Sequence, residues 1–173
     1  MTKAEEKTIL VVEDEPDVRV FLQTVLEDAG FRVLTAADGD AAWTLIQEVR
    51  PDFISLDLIL PKRSGHRLLK DLRQDAELKR IPVLIVTAHA EDELGRNDPE
   101  DILNRVIAEG PGRLLQKPVK PIDFVRCVQT ALGVDEGDDV EAKLLLKDQM
   151  RKMMAGADSD ALRSAMEALK KKA

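Results

Sequence analysis

The chain is short of several residue types, and each shortage excludes something. Its 173 residues include one cysteine, Cys127, so an intramolecular disulfide framework is excluded and a reducing compartment fits. Cys127 lies in an apolar helical stretch and reads as a small buried hydrophobe. Tyrosine is absent, tryptophan occurs once and aromatics make up 3% of the chain, so aliphatic packing must dominate the core. The two histidines, His66 and His89, read as solvated loop residues, and neither is assigned to a metal. No apolar run approaches the ~20 residues of a membrane-spanning helix, and the N-terminus lacks the apolar stretch of a secretion signal. A net charge of −7 argues against a general nucleic-acid binder, which carries a basic face. The expectation is a soluble, cytoplasmic protein with one main domain and a modest appendage.

What is present is a regular alternation. Short apolar runs rich in Val, Ile and Leu occur at residues 8–13, 31–36, 53–57, 82–87 and 113–116. Runs of this length bounded by turn residues read as buried parallel strands. Helical periodicity separates them, at residues 16–30, 41–49, 66–75, 99–109 and 121–133. Pro16 and Pro121 suit first-turn positions, Gly30 and Gly133 suit stops, and Asp38 can cap the second helix. Alternating strands and helices imply an α/β fold: a five-stranded, doubly wound parallel sheet with helices on both faces. Residues 134–139 are acidic and read as a linker. Residues 140–173 carry two further helical patterns and form a C-terminal extension.

The chemistry lies at the carboxyl ends of the apolar runs. Glu13-Asp14, Asp57, Thr87 and Lys117 stand at four of those ends. In an open α/β sheet such positions line one shared crevice, so the four should meet in space. Carboxylates packed together repel unless a cation joins them. A hard divalent cation with oxygen ligands is the natural partner, and Mg²⁺ suits one or two carboxylates plus phosphate oxygens. A carboxylate can also act as nucleophile and become an acyl phosphate. Lys117 and the Thr87 hydroxyl would then pair with phosphoryl oxygens.

With these motifs the sequence resembles the receiver domains of two-component response regulators. The resemblance rests on Val11-Val12-Glu13-Asp14-Glu15-Pro16, on Asp57-Leu58-Ile59-Leu60-Pro61 with Gly65, on Val86-Thr87-Ala88 and on Lys117-Pro118. It covers roughly residues 7–133, and it implies a flavodoxin-like strand order of 2-1-3-4-5 with a receiver domain over residues 1–133. It further implies that Asp57 is the phosphoacceptor and that the donor is a phosphohistidine on a sensor histidine kinase or a histidine phosphotransfer protein. Asp14, Asp57 and the backbone carbonyl of Ile59 would bind Mg²⁺ directly, and Glu13 would act through metal-bound water. Thr87 would close onto the phosphoryl group as the switch, Lys117 would contact it, and the Lys117-Pro118 bond would be cis. Such a chain signals and is not an enzyme beyond its own phosphoryl transfer and dephosphorylation.

Three departures from the family pattern are visible. Leu114 stands where receivers usually carry an aromatic switch residue. The stretch from Thr87 to Lys117 is longer than usual. Ile59 and His89 occupy positions that modulate attack by water on the phosphoaspartate, and apolar Ile59 is expected to hinder it. The extension is shorter than a winged-helix output module and lacks a basic recognition face, so no DNA-binding module is expected. Its stripe of Leu144, Leu145, Leu146, Met150, Met153 and Met154 fits docking on the domain or a partner or dimer surface equally well. Output is expected through a protein target or altered self-association.

Other readings are weaker. A flavin or nucleotide binder needs amides for phosphate after the first strand, where Glu13-Asp14-Glu15 would repel it. A haloacid-dehalogenase-like phosphatase needs a carboxylate two residues after its aspartate, where this chain has Ile59. The serious competitor is a pseudo-receiver, the same fold acting as a phosphorylation-independent protein-binding module.

Overall fold

The computed structural model describes residues 3–88 and 112–134. In chain order the elements are β1 (Thr8–Val12), α1 (Pro16–Asp28), β2 (Arg32–Ala36), α2 (Gly39–Val49), β3 (Phe53–Leu56), α3 (Gly65–Gln74), β4 (Val83–Thr87), β5 (Gly112–Gln116) and α4 (Pro121–Leu132). The five strands form one parallel sheet, as the strand-helix alternation predicts, in the order β2-β1-β3-β4-β5 that the resemblance implies. The expected helix at 99–109, His89 and the expected extension at 140–173 lie outside the described residues.

Both faces of the central strands are covered, which is why they read as continuous apolar runs. Leu10, Val12, Ile54, Leu56, Val83 and Ile85 pack with Ala42 and Ile46 of α2 and Leu68 and Leu72 of α3. The alternate positions Ile9, Val11, Leu84 and Val86 are equally buried, on the side where α1 and α4 touch one another. Leu22, Val25 and Leu26 of α1 and Phe124, Val125 and Val128 of α4 supply the rest of that layer. Full burial of each such side chain contributes about 1.5–3 kcal/mol.

Local chemistry sets the element ends. Asp38 accepts hydrogen bonds from the amides of Asp40 (3.1 Å) and Ala41 (2.8 Å), so α2 starts at Gly39, two residues earlier than its apolar pattern indicates. Gly30 takes φ 90° just past α1, and the chain turns there into β2. Ser64 caps α3 by accepting from the Arg67 amide at 3.2 Å. Cys127 on α4 is half-buried rather than fully buried, because it sits at the margin of that helix's apolar face. Among the described residues no helix is long and apolar enough to cross a membrane.

Candidate functional site

Parallel register brings the strand ends to one level. Val12 pairs with Leu56 and Thr87 with Gln116, so Glu13, Asp57 and Lys117 each step off the sheet at the same edge. One further backbone bond continues each ladder: Glu13 N–H to Ala36 O (3.0 Å), Asp57 N–H to Val12 O (3.0 Å) and Lys117 N–H to Thr87 O (2.8 Å). The sequence pattern counts Glu13 and Asp57 as the last residues of their strands. They lie one step past β1 and β3, where the backbone turns the side chains toward the crevice.

Strand spacing explains the residue types. β1 flanks β3, so a glutamate or aspartate at its end reaches Asp57. β5 lies two strands away, about 10 Å. Only a long side chain crosses that gap, and Lys117 does. Its Nζ is 2.7 Å from Asp57 Oδ2, 2.9 Å from Glu13 Oε2 and 3.9 Å from Glu15 Oε1. The other oxygen, Asp57 Oδ1, accepts from the Ile59 amide at 3.0 Å. Asp57 and Glu13 are buried, Asp14 is exposed, and Thr87, at the end of the adjacent β4, has no exposed surface. The Ile59 side chain points outward and is 54% exposed.

Burial, and then the Asp57 charge, push the Glu13 carboxyl above its ordinary pKa, against the opposing pull of Lys117. Burial pulls the Lys117 ammonium down. Its hydrogen bond to Asp57 and its pairing with Glu13 outweigh that, so its pKa rises above the ordinary value. The lysine is therefore held charged between two carboxylates.

Carboxylate oxygens of Glu13, Asp14 and Asp57 lie within 4.8 Å of one another. Three hard anionic oxygens at this spacing fit a Mg²⁺-type cation, which takes few protein carboxylates and keeps its remaining positions for water or substrate oxygens. Helix capping does not account for the acidic pair. The residue before α1 is Glu15, which makes no side-chain cap bond.

One supporting residue was not among the sequence candidates. Arg19, in the second turn of α1, donates to the carbonyls of Glu13 (2.8 Å) and Asp14 (3.1 Å) and fixes the backbone that carries both acids. A cation near a helix N-terminus opposes the helix dipole, and that mismatch was its only signal in the sequence. The Lys117-Pro118 peptide is cis, as the resemblance implies. Leu114 pairs with Ile85 and packs, partly buried, against the main core cluster.

A doubly wound sheet of order 2-1-3-4-5, with an acidic cluster and a lysine at its carboxyl edge, defines the CheY-like receiver class. The profile of the response regulator receiver domain family matches residues 9–129, and the chain belongs to that family, the receivers of two-component signalling. Among curated relatives, the phosphate regulon transcriptional regulatory protein PhoB of Escherichia coli K12 is 32% identical over 158 residues, covering 88% of this chain and 65% of PhoB. This chain spans 34% to 65% of the length of the first such relatives. The chemotaxis response regulator CheY4 of Vibrio cholerae superposes with a TM-score of 0.62 at 30% identity, over 76% of this chain and all of that one. The receiver domain of the sensor histidine kinase PA1611 from Pseudomonas aeruginosa PAO1 gives 0.62 at 28% identity, over 73% of this chain and 98% of its own. That structure has a magnesium ion coordinated in its active-site cleft.

Proposed function

We propose that this receiver accepts a phosphoryl group on Asp57 and relays that event through a conformational switch. The carrying observation is the Lys117 ammonium 2.7 Å from Asp57 Oδ2, beside buried Glu13. An oxygen of Asp57 attacks the phosphorus of a phosphohistidine on a sensor kinase or phosphotransfer protein. The P–N bond breaks, its electron pair stays on the imidazole nitrogen, and an acyl phosphate forms. Water later cleaves the acyl phosphate and returns the carboxylate.

The chain's own groups have separate tasks. Burial of Asp57 and its bond from the Ile59 amide fix the nucleophile in one orientation. Lys117 pairs with charge on the transferring group. The Thr87 hydroxyl donates to a phosphoryl oxygen and draws β4's end inward. Asp14, Asp57 and the Ile59 carbonyl would hold Mg²⁺ directly, with Glu13 acting through water. Bound there, Mg²⁺ supplies neutralisation of the phosphoryl charge. Phosphorylation then shifts a two-state population, read by a protein target or by altered self-association.

A second reading, the pseudo-receiver, is favoured by one observation: Leu114 occupies the position of the usual aromatic switch residue and is packed against the core. Intact mass after incubation with acetyl phosphate separates the two. A gain of one phosphoryl group that needs Mg²⁺ and is absent in Asp57→Asn is the expected result. No gain on the folded wild type overturns the proposal and leaves the protein-binding module.

A further inference from the structure

The segment from Leu58 to Ser64 follows Asp57 directly and carries the Ile59 carbonyl. Its inner side is well anchored. Leu58 and Leu60 are buried, and the Gly65 amide donates to Leu58 O at 3.0 Å. Gly65 presses so closely that a Cβ there would lie 2.2 Å from the Asp57 carbonyl oxygen.

The outer turn, Pro61 to Arg63, is held differently. No apolar side chain of this turn is buried, and Lys62 takes a left-handed conformation at φ 65°. α2 meets it at Gly39, where a Cβ would lie 1.8 Å from the Arg63 carbonyl oxygen. The remaining ties are polar. Lys62 Nζ pairs with Asp38 at 2.6 Å, but this lysine is 62% exposed, and such pairs contribute little. Arg63 is only 25% exposed. Its Nε is 3.3 Å from Asp40 on α2, its Nη1 is 3.2 Å from Asp71 on α3, and its guanidinium lies 5.1 Å from the centroid of the Trp43 ring. One side chain thus joins the loop to two helices.

We infer that Arg63 is a positioning residue for the cation and phosphoryl site: it fixes the path of residues 58–64 and, through it, the Ile59 carbonyl. The inference rests on the Mg²⁺-dependent reading above. Groups that orient metal ligands from behind commonly alter metal affinity by 10–100-fold when removed.

The test is calorimetric titration of the full chain with MgCl₂. Arg63→Ala is expected to weaken binding by roughly tenfold or more. Arg63→Lys should fall between, because one ammonium cannot replace a fork that serves two carboxylates and stacks on an indole. Arg50→Ala, which removes an exposed ion pair with Glu77 away from this loop, should leave affinity unchanged. If Arg63→Ala does not fold, the double variant Asp40→Asn with Asp71→Asn carries the same expectation. Wild-type affinity in the folded Arg63 variant, or in that double variant, overturns the inference and leaves the phosphoacceptor reading intact. A wild type that takes up neither Mg²⁺ nor a phosphoryl group from acetyl phosphate overturns both.

Discussion

The ammonium of Lys117 is hydrogen-bonded to Asp57 Oδ2 at 2.7 Å, spanning β4 to join the ends of β5 and β3. It also pairs with the buried carboxylate of Glu13 at 2.9 Å. Removing it leaves two buried acids facing one another. Breaking a buried pair by deleting one partner costs about 3 kcal/mol or more. Lys117→Met should therefore lose about that much stability in EDTA, and added Mg²⁺ should restore most of it. Urea unfolding at neutral pH with and without Mg²⁺ checks this; equal stability of variant and wild type in EDTA would count against the pairing. Because pairing holds Lys117 above its ordinary 10.5, its contribution is complete below that pH and disappears only as pH rises through the raised value.

Glu13 adds a pH dependence of the same sign at lower pH. Its folded-state pKa is raised above 4.5, burial being the first cause. Between 4.5 and that raised value the folded protein binds more protons than the unfolded chain, so this group makes stability fall as pH rises. Glu13→Gln removes the term. In metal-free buffer the variant should gain stability relative to wild type across that window and hold the gain at higher pH. Denaturant midpoints of both proteins over the acidic to neutral range test the slope, and parallel curves contradict it.

Ile59 stands at the mouth of the site with more than half of its surface exposed, so its replacement should change stability by no more than about 0.5 kcal/mol. An apolar side chain there is expected to hinder an approaching water, while an amide can hold one. Ile59→Asn should shorten the life of the proposed phosphoaspartate severalfold. The decay of the phosphorylated mass after donor removal measures it, and an unchanged lifetime rules the idea out.

The sheet and the strand-end positions were legible because β1, β3 and β4 are short, almost wholly buried apolar runs, and burial on both faces leaves no alternation to confuse them with surface strands. The ends were less legible. β1 and β3 stop one residue short of the pattern because Glu13 and Asp57 keep a ladder amide yet turn their side chains out of the sheet. Asp38 starts α2 at Gly39 and Asp40, residues that no apolar period marks. Arg19 and Arg63 were hidden for another reason. An arginine acts several bonds from its own backbone, on carbonyls or carboxylates that only the folded loops bring near. Neither neighbouring letters nor spacing announce that.

Trp43 is the chain's single tryptophan, and the chain has no tyrosine. Its ring lies beside the Arg63 guanidinium, which is paired to both flanking helices. Tryptophan emission from the whole protein therefore arises from one indole resting on the loop that leaves Asp57. The molecule carries its own optical gauge of that loop, readable in a stopped-flow instrument without any label.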